Sequence, residues 1–228
     1  LAEPARRRAG PRVLWITPLR ALAADTVANL RAPLPELGLD WRVEQRTGDT
    51  ASSTRQRQQR SPPEALVTTP ESLSLMIAYR GAEGRLAGVD AVIVDEWHEL
   101  LGSKRGVQLE LCLAFLRGIN PSLRTWGLSA TLGNLDEAQQ ALLGPAAQSG
   151  VRIQGANDKP IRIRSLCPDT GTRFPWAGHL GLHLLPQVVA RIEAAQSCLL
   201  FTNTRSQAER WHQALLEARP DRFDQIAL

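Results

Sequence analysis

Short apolar runs alternate with helix-length amphipathic segments along most of this chain. That alternation predicts an α/β fold built on a mostly parallel sheet flanked by helices. Val13 to Thr17 reads as a first strand. Pro18 follows, then a helix from about Leu19 to Arg31 with Leu19, Leu22, Ala23, Val27 and Leu30 on one face. Trp41 to Arg46 makes a second strand, closed by Thr47-Gly48-Asp49, and the arginine-rich stretch Ala51 to Arg60 reads as a solvated helix or loop. Ala65 to Thr68 is a third strand. Thr69-Pro70-Glu71-Ser72 then offers a helix start: a hydroxyl cap, proline at the first helical position and an acid in the first turn. Ala91 to Val94 is the fourth and most apolar strand, Val107 to Leu116 a helix, and Thr125 to Ser129 a fifth strand.

Gly144-Pro145, with small residues up to Gly150, marks a domain boundary, giving domains 1–148 and 149–228. Beyond it Val151 to Ile153 and Ile161 to Leu166 alternate like exposed or edge strands, and Asp169 to Gly178 is a Gly/Pro-punctuated loop. A helix from about Leu182 to Ala194, a strand from Cys198 to Thr202 and a helix from Ser206 to Ala218 restart the same grammar. The chain opens on Leu1 and closes on the apolar Ile226-Ala227-Leu228, so it is expected to be an excerpt of a longer polypeptide.

Composition narrows the picture modestly. With 43% hydrophobic residues, 228 residues can bury a core, which excludes wholesale disorder. A net charge of +4 suits a polyanionic partner without establishing one. Lys104 and Lys159 are the only lysines; arginine suits bidentate phosphate contacts, although so uniform a bias also fits a GC-rich genome. Cys112, Cys167 and Cys198 form no CxxC or Cys/His cluster, which argues against a zinc site or a disulfide framework. No apolar run approaches a membrane span and no signal peptide is visible, so a cytoplasmic setting is expected.

The chemistry concentrates at strand exits. Val92-Ile93-Val94 runs into Asp95 and Glu96, with His98 two positions on. Paired acids at the C-terminal end of a buried strand can hold a nucleotide-bound Mg²⁺ and polarise a water, whereas an isolated Asp-Glu is more often a solvated turn. Thr17-Pro18-Leu19-Arg20 and Thr69-Pro70-Glu71 both feed helices whose first amides attract phosphate, or are plain strand–helix punctuation. Thr47-Gly48-Asp49 leaves the same rim, because all parallel strands end on one side. Ser129-Ala130-Thr131 places two hydroxyls where they can meet an acidic site or cap the strand end. Ser103-Lys104-Arg105-Gly106 reads as a phosphate contact or a solvated basic loop. Five tryptophans (Trp15, Trp41, Trp97, Trp126 and Trp176) lie on or near strands and junctions and are expected in the core, where an exposed one could stack on a base. His179, His183 and His212 lack metal-ligand spacing.

Taken in order, Thr-Pro-Leu-Arg-Ala-Leu, Thr-Gly-Asp, Thr-Thr-Pro-Glu-Ser, Asp-Glu-Trp-His, Ser-Ala-Thr and Phe-Thr-Asn-Thr-Arg resemble the motifs of superfamily 2 helicases. They look like motifs Ia, the segment after Ia, Ib, II, III and IV. The stretches from Asp95 to Gly106 and from Trp126 to Asn134 are similar to the bacterial Lhr (large helicase-related) group, in its DEXH-box form associated with DNA ligase operons. The resemblance implies parts of two tandem RecA-like domains and an ATP-driven, 3′-to-5′ translocase on single-stranded or tailed duplex DNA, with RNA an alternative. It further implies a place in repair beside partners such as an ATP-dependent ligase. Asp95 would coordinate the Mg²⁺ of bound ATP, Glu96 would act as catalytic base, and His98 would couple nucleotide state to Ser129, Ala130 and Thr131. Thr17, Pro18, Arg20, Thr47, Gly48, Asp49, Thr69, Pro70 and Glu71 would contact nucleic acid from the first domain, and Asn203, Thr204 and Arg205 from the second. One departure stands out: no G-x-x-x-x-G-K-[ST] segment occurs in the chain. The family places it upstream of residue 1, and motifs V and VI beyond Leu228, so the isolated chain is expected not to hydrolyse ATP. A nucleic-acid-binding platform without turnover is the competing expectation.

Overall fold

Five four-residue strands pair in parallel: β1 (Val13–Ile16), β2 (Val43–Arg46), β3 (Ala65–Thr68), β4 (Ala91–Val94) and β5 (Arg124–Gly127), in the order β2-β3-β1-β4-β5. This computed structural model describes residues 10–130, 132–155, 161–167 and 181–228. Thr131, Trp176, His179 and the expected loop from Asp169 to Gly178 lie outside the described residues. The chain divides into two compact units, Leu1–Gln154 and Gly155–Leu228, each treated by itself.

In the first unit nine-residue to sixteen-residue helices and shorter ones alternate with the strands. They are α1 (Arg20–Arg31), α2 (Ser52–Arg60), α3 (Pro70–Ala78), α4 (Ala82–Leu86), α5 (Trp97–Leu100), α6 (Lys104–Ile119) and α7 (Leu135–Leu143). Period-two alternation sorts the strand side chains to two faces. Leu14, Ile16, Leu66, Val92 and Val94 enter the larger core with Leu73, Leu86, Trp97, Leu109, Leu113 and Leu142. On the other face Val43, Ala65 and Val67 bury a smaller cluster against Ala23 and Val27 of α1. The polar α2 sends only Gln58 inward, as its arginine-rich sequence anticipates.

Two details fix the chain around the rim. Ser103 caps α6 by accepting the Gly106 N–H at 3.1 Å, and α6 passes so near the end of α5 that a Cβ on Gly106 would lie 2.1 Å from the Leu100 carbonyl oxygen. Ser103 to Gly106 is thus a helix start, not a solvated loop. The Gly144-Pro145 pair ends α7 and opens a 3-10 turn, Gly144–Ser149, that stays attached to that helix: Gln139 Nε2 donates to the Ala147 oxygen at 2.6 Å. Arg152 returns to Asp136 and Gln139 as well, which keeps the chain with the first unit past the Gly-Pro break.

The second unit contains a 3-10 turn (Leu182–Leu184), α8 (Leu185–Glu193), α9 (Arg205–Ala218) and a 3-10 turn (Pro220–Gln225). The expected strands at Val151 to Ile153, Ile161 to Leu166 and Cys198 to Thr202 do not form among the described residues. A strand exists only by pairing, and no described segment lies beside these to complete a ladder. Their apolar side chains stay out in solvent, Leu199 at 80% and Phe201 at 85% exposure.

Candidate nucleotide and nucleic-acid site

The register levels the strand ends. Ile16 pairs with Thr68 and Val94, Arg46 with Thr68, and Val94 with Gly127. One residue further on, Thr17, Thr47, Thr69, Asp95 and Leu128 therefore form a single row along the C-terminal rim. Backbone bonds carry the ladder past the strands: Thr17 N–H to Thr68 O at 2.9 Å, Asp95 N–H to Ile16 O at 2.8 Å, and Leu128 N–H to Val94 O at 2.8 Å.

The three rim threonines are buried and act locally. The Thr17 hydroxyl donates to the Leu19 oxygen at 3.4 Å, Thr69 caps α3 by accepting the Ser72 N–H at 3.4 Å, and the Thr47 N–H donates to the Thr50 hydroxyl at 2.9 Å. The two helix starts consequently differ. The first turn of α3 is closed by Thr69 and carries Glu71. The first turn of α1 has neither a side-chain cap nor an acid; the Leu22 N–H donates to the Leu19 oxygen at 3.2 Å, and the Arg20 and Ala21 amides keep their capacity for an anion. Arg20, at that start, is exposed and reaches Asp49 Oδ1 at 3.0 Å. Its guanidinium lies over Gly48, where a Cβ would come within 3.2 Å. From the other side Arg55 donates to the carbonyl oxygens of Gly48 at 2.6 Å and Thr47 at 3.3 Å. The Thr47-Gly48-Asp49 loop is thus held between two arginines.

Arg105 ties the two junctions together. It pairs with Glu71 and donates from Nη2 to the Pro18 oxygen at 2.7 Å. Arg105 is half-buried and its guanidinium is engaged by these two partners. Burial alone would raise the Glu71 pKa, but hydrogen bonds from Arg105, from its own backbone and from Thr69 outweigh it and hold the carboxyl below its usual range.

At the end of β4 the two acids are positioned differently. Asp95 Oδ2 accepts the Trp15 indole N–H at 3.2 Å, and Oδ1 accepts the Glu96 N–H at 3.0 Å. Glu96 adopts φ 48°, ψ 45° and is the one non-glycine residue with positive φ among those described. An L-residue pays about 1 kcal/mol or more there. The turn it makes lets the Trp97 N–H reach the Leu128 oxygen at 2.9 Å and starts α5. Trp97 is 2% exposed and donates its indole N–H to the Ala138 oxygen at 3.1 Å, anchoring α5 to α7.

His98 Nδ1 receives the Ala130 N–H at 3.2 Å and lies 3.1 Å from the Ser129 hydroxyl. A backbone N–H only donates, so Nδ1 carries the lone pair and the proton of the neutral ring sits on Nε2, facing Glu99 Oε1 at 3.5 Å. Glu96 Oε2 stands 3.5 Å from Nδ1. Asp95, Glu96, His98, Ser129 and Ala130 therefore converge in one place. Asn203, Thr204 and Arg205 lie in the second unit, exposed, with Thr204 capping α9 by accepting the Gln207 N–H at 3.2 Å. Trp126, expected in the core, is 62% exposed on the edge strand β5. The described residues hold no group of three or more His, Cys, Asp or Glu able to cage a metal. None of their helices is long and apolar enough to cross a membrane.

Comparison with known proteins bears on this geometry. The DEAD/DEAH box helicase family matches residues 1–138. The chain is 36% identical over 208 residues to "ATP-dependent helicase Lhr-Core" of Methanocaldococcus jannaschii, covering 87% of this chain and 24% of that protein. It is 33% identical over 250 residues to "Lhr helicase/uracil glycosylase" of Escherichia coli, covering 98% of this chain and 16% of that one. It thus spans about a quarter or less of the curated relatives it matches. Among solved structures, Mycobacterium smegmatis helicase Lhr bound to ssDNA and AMP-PNP superposes with a TM-score of 0.63 at 32% identity, over 93% of this chain and 29% of that one.

Proposed function

Because the chain belongs to the DEAD/DEAH box helicase family, we propose that it forms part of an ATP-driven translocase on single-stranded nucleic acid, with Asp95 and Glu96 as its nucleotide-facing acids. The observation that carries this reading is the acid pair at the exit of β4, joined through His98 to Ser129 and Ala130 on the same rim as the helix starts. The donor set fits Mg²⁺: a hard carboxylate, its rotamer fixed by Trp15 and the Glu96 N–H, is the kind of ligand that this ion takes, one or two at a time, beside phosphate oxygens and water. When bound, Mg²⁺ with ATP supplies neutralisation of the phosphoryl oxygens. Asp95 holds the metal; Glu96 takes the proton of the attacking water on a carboxylate oxygen. His98 Nδ1 accepts the Ala130 N–H and lies beside the Ser129 hydroxyl, so a shift of Glu96 is felt in that segment and, next in sequence, at Thr131.

Arg20 and the uncapped amides of α1 grip backbone phosphate, with Thr17 and Pro18 shaping that start. Thr47, Gly48 and Asp49, Thr69, Pro70 and Glu71, and in the second unit Asn203, Thr204 and Arg205, complete the contact. The two units correspond to parts of a first and a second RecA-like domain. DNA is the favoured strand, since the solved Lhr relative holds ssDNA; 3′-to-5′ movement, repair beside an ATP-dependent ligase, and a cytoplasmic setting belong to the same proposal. In the whole protein Glu96→Gln keeps nucleotide binding and lowers turnover by about 10²–10⁴-fold. Turnover near that of the unaltered protein would refute the role given to Glu96.

A further inference from the structure

Behind the rim, on the face shared by α2, α3 and α4, Arg46 is 8% exposed, and its guanidinium has no hydrogen-bonding or ionic partner among the described residues. It lines a cavity of about 40 Å³ together with Arg85, Tyr79 and Gln58, and Leu66 and Met76 close the apolar wall. Among the described residues the ionisable groups acting on Arg46 are Tyr79, Arg55 and Arg85, with no carboxylate among them. A buried cation without a counter-ion is unfavourable, and a cluster of cations more so. Gln58 adds the opposite demand. Its amide orientation is set by donation from Nε2 to Glu44 Oε2 at 3.0 Å and the Gln45 oxygen at 3.1 Å. Its Oε1 is left buried with no partner, an acceptor that needs a donor.

We propose that this cavity binds a protonated phosphate group, either free hydrogen phosphate or the terminal monoester of a polynucleotide. Arg46 and Arg85 donate to its charged oxygens, Tyr79 adds a hydroxyl, and the P–OH donates to Gln58 Oε1. The acceptor provides the selectivity: sulfate and internal phosphodiesters carry no proton at neutral pH and leave Oε1 unmet, whereas free hydrogen phosphate carries one there and a terminal monoester, with a second pKa of about 6, carries it on the acid side of neutrality. The volume admits roughly three water-sized groups, so part of a tetrahedral head group enters with its remaining oxygen at the open mouth, and there is too little space for a base. This site is separate from Asp95 and Glu96 and stands independently of the function proposed for them.

Equilibrium dialysis of labelled orthophosphate against the purified 228-residue chain tests it. The expected result is saturable uptake, weakened about tenfold or more by Arg46→Met. Arg85→Gln, at a half-buried position, weakens it likewise and keeps the test open if Arg46→Met does not fold. Gln58→Met removes the preference for phosphate over sulfate. Displacement by a 5′-phosphorylated but not a 5′-hydroxyl oligonucleotide identifies the polynucleotide terminus as the ligand, and displacement by neither identifies the free ion. Absence of saturable uptake, unchanged uptake in Arg85→Gln, equal competition by sulfate, or displacement by the 5′-hydroxyl oligonucleotide overturns the proposal.

Discussion

Arginines at this site divide by whether their charge is spent inside the protein. Arg105 is half-buried between Glu71 and the Pro18 carbonyl, whereas Arg20 stands in solvent with only an exposed partner. Those commitments cross 34 and 87 residues of chain, so no local pattern announced them. Arg20 was legible because it sits on a strand–helix junction. The partners of Arg105 and Arg55 were not legible, because they are set by packing. The Glu71 carboxyl, depressed in the folded state, contributes stability that is present above the ordinary carboxylate pKa and is lost as pH falls through the folded value. Urea midpoints followed from about pH 6 to about pH 3 should therefore decline in the unaltered chain and decline less in Glu71→Gln. Identical declines in the two proteins would remove Arg105 and Glu71 as the acid-sensitive link.

At the scale of elements, β3 and β4 match their expected bounds because each is an apolar run closed by polar punctuation. The helix α7 was missed although Asn134 and Glu137 form a capping pair, Asn134 accepting the Glu137 N–H at 3.2 Å. Its signal was present and short. By contrast α5 had none, since a left-handed glutamate is not a helix start that any pattern predicts. The apolar run at Cys198 to Thr202 has the composition of a strand but no partner among the described residues, and composition cannot supply one. Packing between elements also explains a glycine inside α6. Gly106→Ala would push a methyl into the Leu100 carbonyl and should destabilise the chain by about 1–3 kcal/mol in chemical denaturation, despite the better helix propensity of alanine. A midpoint equal to or above that of the unaltered chain would disprove the close approach.

Across the whole molecule, order is uneven. Among the described residues the first unit owns both buried clusters, while the buried side chains of the second are Trp211 and Leu215 of α9. Amide hydrogen exchange should therefore be slowest in β1, β3 and β4 and close to unprotected at 198–202. Equal protection in those two regions would contradict the unpaired state of the later segment. The levelled rim has a mechanical corollary. From Thr68 to Leu128 the exit loops are bolted to one another by main-chain bonds, which makes that row a stiff bar. Beyond Leu128 the connection passes to a side chain, the His98 ring against Ser129 and Ala130. Stiffness in series is governed by its softest member, so relative movement between the start of α5 and the Ser129–Ala130 segment concentrates at that imidazole contact.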